Sequence, residues 1–81
     1  MKAKIHITLK PGVLDPQGKA IQSSLGALGF EGVGNVRQGK YIELDIGDPG
    51  PAKARQRLTQ MCEKLLANTV IEDYRVDISE G

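Results

Sequence analysis

Residues 2 to 10 read "KAKIHITLK", and their alternation decides the fold. Ala3, Ile5, Ile7 and Leu9 fall on one side; Lys2, Lys4, His6, Thr8 and Lys10 fall on the other. A two-residue period of this kind makes a strand with one buried and one wet face. Working outward, "PGVLDPQG" follows at 11 to 18. Pro11 and Gly12 break the strand, and Asp15 before Pro16 reads as an N-cap with proline at the first helical position. Ile21, Leu25 and Leu28 then mark one helical face, edged by Ala20, Ser24 and Ala27, and Gly29 supplies the stop.

Val33, Val36, Ile42, Leu44 and Ile46 lie around "RQGK" at 37 to 40, where Gln38-Gly39 predicts a tight hairpin. "GDPGP" at 47 to 51 is the next break. Ala54, Leu58, Met61 and Leu65, flanked by Cys62 and Leu66, repeat at three- and four-residue spacing and predict a second helix, stopped by Asn68. Tyr74, Val76 and Ile78 alternate with Asp73, Arg75 and Asp77 in a last strand. The order β-α-β-β-α-β predicts an α+β, ferredoxin-like fold: one four-stranded antiparallel sheet with two helices on one face. In that arrangement the first strand lies between the third and fourth. Lys2 and Lys4 then neighbour Glu43 and Asp45 on the outer face, a favourable cross-strand pairing.

With 81 residues, the chain is expected to form a single domain over 1–81. A chain this short buries only roughly 60% of its unfolded surface, so the core is thin and association is a common remedy. Its one cysteine excludes an internal disulfide and a cysteine-based zinc site. No stretch reads as a signal peptide or membrane span, and the expected location is cytoplasmic. Net charge is +1, with six Lys/Arg and two acids in residues 1–40 against five and eight in 41–81. That balance argues against a nucleic-acid arm and suits halves that complement each other within the fold or across an interface. An RNA-binding sheet would also need aromatic residues on its central strands, and these strands hold one tyrosine among several acids.

The side chains capable of chemistry are scattered. His6 alternates onto the open face with no second histidine, so it reads as an exposed or interface residue. Cys62 falls beside Met61 on the packed side of the second helix and reads as a buried structural thiol. The "GVLDPQG" glycines match neither the P-loop nor the dinucleotide fingerprint, and a turn plus N-cap explains them. Lys53, Arg55 and Arg57 crowd the start of the second helix, where cations oppose the macrodipole; they read as a solvated face or a landing site for an acidic partner. No catalytic, cofactor-binding or metal site is expected in this chain.

Three segments, "LKPGVLDPQGKAI" at 9–21, "VRQGKYIELDI" at 36–46 and "MCEKLLANTVIEDY" at 61–74, closely resemble the PurS family. That family supplies the small subunit of bacterial and archaeal phosphoribosylformylglycinamidine synthase. The one clear departure is Thr69, where the family commonly has proline. The resemblance implies a subunit of a glutamine-dependent ligase of purine biosynthesis, inactive when isolated. It further implies a dimer that docks a glutaminase subunit to a large synthetase subunit, which uses ATP and magnesium, and that helps ammonia pass between them. Partner contacts are expected at Lys10, Asp15, Arg37, Lys40, Asn68, Glu72, Asp73 and Tyr74. Glu72 and Asp73 are expected at an exposed junction before the last strand. Tyr74 is either an anchor for a partner or a continuation of the inward alternation to Val76 and Ile78. The rival function is a ferredoxin-like regulatory domain binding a small molecule at the "GVLDPQG" turn.

Overall fold

The alternating N-terminal segment is the middle strand of the sheet. In the computed structural model, which describes residues 1–47 and 49–79, the elements run β1 (Lys2–Leu9), α1 (Pro16–Ala27), β2 (Gly39–Asp45), α2 (Pro51–Met61), a π-helical turn (Cys62–Leu66) and β3 (Glu72–Ser79). The sheet is antiparallel in the order β2-β1-β3. Lys2 faces Asp45 and Lys4 faces Glu43 across the β1–β2 pair, the favourable neighbourhood expected from the strand order.

Among the described residues there are three strands, not the four predicted. Residues 33–38 form no strand, so the expected hairpin at Gln38-Gly39 is absent. The reason is local. The Gln38 amide donates to Asp15 Oδ2 at 2.9 Å, which draws this segment toward the start of α1. Gly39 already stands in β2 opposite Thr8, where an added Cβ would press on the Ile7 carbonyl and come within 2.9 Å of the Thr8 methyl. Its glycine serves close strand approach, not chain reversal. Asp48, within the expected break at 47 to 51, lies outside the described residues. Gly50, at φ 98°, is the N-cap of α2, and Pro51 opens the helix.

The inner face of the sheet is covered by α2 and the π-helical turn that continues it. Ala3, Ile5, Ile7, Leu58, Cys62, Ala67 and Val76 form the buried cluster, with Ile42, Leu44, Met61, Tyr74 and Ile78 packed around it. The Arg55 guanidinium donates to the Val76 carbonyl at 3.1 Å and ties α2 to β3. The expectation of two helices on this face therefore fails for α1, whose apolar residues stay outside the core: Leu28 is 73% and Ile21 41% exposed. With its sheet side already stocked by α2, the chain is elongated, 49 × 28 × 15 Å. Its radius of gyration is 16.0 Å, against roughly 12 Å for a compact domain of this length.

The end of α2 departs from an α-helical phase. The Ala67 amide donates to the Cys62 carbonyl at 3.0 Å, five residues back, and the wider turn shifts the buried side by one position. Leu65, expected on the packed face, is 82% exposed, while Ala67 is buried. Cys62 is free and fully buried, as expected, and burial pushes its thiol pKa up.

Candidate functional site

The eight expected partner contacts gather at one end of the sheet, where β1 runs out into the loop before α1. Asp15 organises one side. Its Oδ1 accepts from the Gly18 amide at 2.9 Å as the helix N-cap, and its Oδ2 accepts from the Gln38 amide at the same distance. These contacts, the Gln38 amide first, hold its carboxyl below its ordinary pKa of 3.8, and the nearby Arg37 charge adds to them. Gly18 must be glycine, because a Cβ would meet the Val36 carbonyl oxygen at 2.5 Å and the Asp15 carboxylate at 2.6 Å.

Around this pin a groove of about 460 Å³ opens, walled by the turn at 10–15, by Lys19 and Gln22 of α1 and by Asn35, Val36 and Arg37. The Lys10 amide, which donates to the Ile71 carbonyl at 2.8 Å, fixes the groove to the other side of the sheet end.

That other side is built on Glu72. Counting back by twos from Ile78 through Val76 and Tyr74 reaches Glu72, and from Leu44 through Ile42 reaches Lys40, so both charged residues stand on the inner face. Their side chains meet at 3.4 Å. Glu72 also accepts from the Asn68 amide at 2.7 Å, while the Asn68 side chain accepts from the Val70 amide at 3.2 Å. The expectation of an exposed Glu72 in a junction is thus corrected. It is the first residue of β3, and its side chain is only 11% exposed, because strand parity turns it inward. Parity in β2 and β3 together is the signal in the sequence that brings Lys40 to Glu72.

Asp73 is exposed and pairs in register with Thr8. Tyr74 is half-buried on the inner face opposite Ile7 and packs against the core, so the alternation explains its place. Burial pushes its phenol pKa up.

The open face carries a separate polar row. His6 Nε2 lies 3.5 Å from Asp77 Oδ2, which Arg75 also approaches at 3.3 Å. The His6 and Tyr41 rings are 4.9 Å apart, and the Tyr41 hydroxyl donates to Glu43 at 2.8 Å. These groups are largely exposed, and among the described residues no group of three His, Cys, Asp or Glu side chains could hold a metal ion. The histidine therefore has an exposed carboxylate neighbour that spacing in the sequence did not reveal.

The Asp15 geometry makes a pH prediction. A lowered carboxyl pKa contributes stability that is complete above the ordinary value of 3.8 and is lost as pH falls through the lowered one. Asp15→Ala should melt at a lower temperature than the parent near neutrality, and the two melting curves should converge in acid below about pH 4. Thermal melts across that range check it; parallel curves throughout would remove the carboxylate from the account.

Comparison with known proteins agrees with this architecture. The profile of the PurS family, described as phosphoribosylformylglycinamidine (FGAM) synthase, matches residues 2–80. The chain is 55% identical over 76 residues to the phosphoribosylformylglycinamidine synthase subunit PurS of Synechocystis sp., covering 94% of this chain and 76% of that protein. The crystal structure of Methanocaldococcus jannaschii PurS, a subunit of formylglycinamide ribonucleotide amidotransferase in the purine biosynthetic pathway, superposes with a TM-score of 0.89 at 40% identity, covering 98% of this chain and 95% of that one. A chain in the structure of PurLQS from Thermotoga maritima gives 0.87 at 33% identity, covering 94% and 93%. With matches that span nearly its whole length and share its fold, the chain belongs to the PurS family of phosphoribosylformylglycinamidine synthase.

Proposed function

We propose that this chain, as one domain over 1–81, is the non-catalytic docking subunit of its synthase in the cytoplasm. Working as a homodimer, it holds the glutaminase subunit against the synthetase subunit and supports passage of ammonia between them. The ATP and magnesium of the reaction are used on the synthetase. Ammonia released into water is largely protonated and loses its nucleophilicity, so docked and shielded active sites favour synthesis. One observation carries the reading: an elongated chain whose first helix and the residues that end it leave Ile21, Leu28 and Phe30 uncovered, 41%, 73% and 58% exposed, is built to be completed by another surface. A second copy meets this need most simply by a two-fold contact. Nothing in the family match favours the rival small-molecule regulatory domain.

The test is reconstitution with the synthetase and glutaminase subunits. Glutamine-dependent FGAM synthesis should require this chain, and ammonia-dependent synthesis should depend on it less. Asp73→Lys, at an exposed position, should keep the far-ultraviolet dichroism and sedimenting mass of the parent, a dimer, yet lower the glutamine-dependent rate preferentially. Equal glutamine-dependent rates with and without the chain, or sedimentation of the parent as monomer alone, would refute the docking dimer.

A further inference from the structure

The groove beside Asp15 holds three cations with no carboxylate opposite them. Lys10, Lys19 and Arg37 come from the β1–α1 turn, from α1 and from the segment before β2. Asp15 is the acid among them, yet both of its oxygens are taken by backbone amides of Gly18 and Gln38. It lies near Arg37 without forming an ion pair, and none of the three cations pairs with any described acid within 4 Å. An apolar strip runs through this charge: Val13 and Val36 are half-buried, and Leu14 is 69% exposed.

From this we infer that the groove receives an acidic segment of a partner subunit, its carboxylates on Lys10, Lys19 and Arg37 and an apolar side chain among them against Val13, Leu14 and Val36. The inference rests on the docking reading above and names the chemistry of one of its contacts. A small free anion is the poorer occupant. Lys19 and Arg37 are exposed and Lys10 is half-buried, so the groove lacks the fully buried donors that a compact anion needs to offset its desolvation. Water-accessible cations around an apolar strip suit a protein surface, where they steer association and fix register. Two residues hold the walls in place: Asp15 ties the 35–38 segment to α1, and Gly18 lets the Val36 carbonyl approach the helix.

The experiment measures association of the full chain with its synthetase and glutaminase subunits across a salt series. It compares the parent, the Lys10→Gln/Lys19→Gln/Arg37→Gln variant, and a Lys2→Gln/Lys4→Gln control on the outer face of the sheet. The triple variant should associate about tenfold more weakly or worse and lose most of its salt dependence, with the control close to the parent. Parental affinity in a folded triple variant overturns the inference and leaves the docking reading intact. A parent that does not associate sinks the docking reading, and this inference with it. A changed oligomeric mass of the isolated triple variant would assign the groove to a second copy. Thermal stabilisation of the isolated parent by inorganic phosphate, lost in the triple variant, would assign it to a free anion. Either result overturns the inference.

Discussion

Replacing Leu58 with alanine is expected to lower the unfolding free energy by about 2–5 kcal/mol, enough to remove much of this chain's stability. Leu58 is fully buried and sits midway along the buried row Ala54, Leu58, Cys62. It shares a cluster with Ala3, Ile5, Ile7 and Val76 of the sheet. Because α1 contributes no residue to that cluster, a cavity under α2 has no second helix to relax into it. Domains of this length are stable by roughly 4–12 kcal/mol, so one cavity removes a large fraction. Urea denaturation at fixed protein concentration should show a lower midpoint with an unchanged slope. Leu58→Met, which nearly conserves volume, should cost less than about 1.5 kcal/mol. An unchanged midpoint for the alanine variant would mean that α2 does not cover the sheet in solution.

Glu72→Lys should be the most damaging of the charge reversals at the sheet end, at about 2–3 kcal/mol. The wild-type carboxylate is largely covered, accepts from the Asn68 amide at 2.7 Å and lies 3.4 Å from Lys40. Reversal leaves that amide without its acceptor and sets two ammonium groups on one face. The ion pair itself is a minor part, since the Lys40 side chain is 60% exposed and screened by water. Glu72→Gln, which keeps an acceptor oxygen, should therefore recover most of the loss. Asp73→Lys, one residue on but pointing to solvent, should fall within about 0.5 kcal/mol of the parent. Chemical unfolding of the three variants separates these cases. Equal stabilities for Glu72→Lys and Asp73→Lys would deny Glu72 its structural part.

The contrast between these neighbours shows where the sequence was readable. Strand alternation located β1 and the Tyr74–Ile78 part of β3, and the strand order placed Lys2 and Lys4 beside Glu43 and Asp45, as the structure has them. The Asp15 cap and the Gly29 stop were equally legible, because each rests on the chemistry of one or two residues. What failed was anything that depended on distant partners. Ile21, Leu25 and Leu28 have the spacing of a packed helix, but spacing cannot say whether the covering surface lies in the same chain. Gln38-Gly39 looks like a hairpin until Asp15 takes the Gln38 amide from twenty-three residues away. The wide turn at Cys62–Leu66 was illegible too, since an apolar run of Met61, Cys62, Leu65, Leu66 and Ala67 is compatible with more than one helical phase. Glu72 is the intermediate case: the alternation of β3 extends one step past Tyr74 to reach it, but a charged residue at an inward position masks the pattern.

The position of β1 has a bearing on how the chain comes to be folded at all. Its middle strand is made first, and one of that strand's two neighbours, β3, is made last, with Lys2 registered against Ser79. During synthesis one hydrogen-bonding edge of β1 must therefore wait for residues about seventy positions further on. A sheet that closes over such sequence distances folds slowly compared with a helical bundle of the same size. It also exposes an unpaired, half-apolar strand while it waits. The lysines that alternate along β1, Lys2 and Lys4 with Lys10 just beyond, then act while the chain is still unfolded, discouraging strand-to-strand association of unfinished copies.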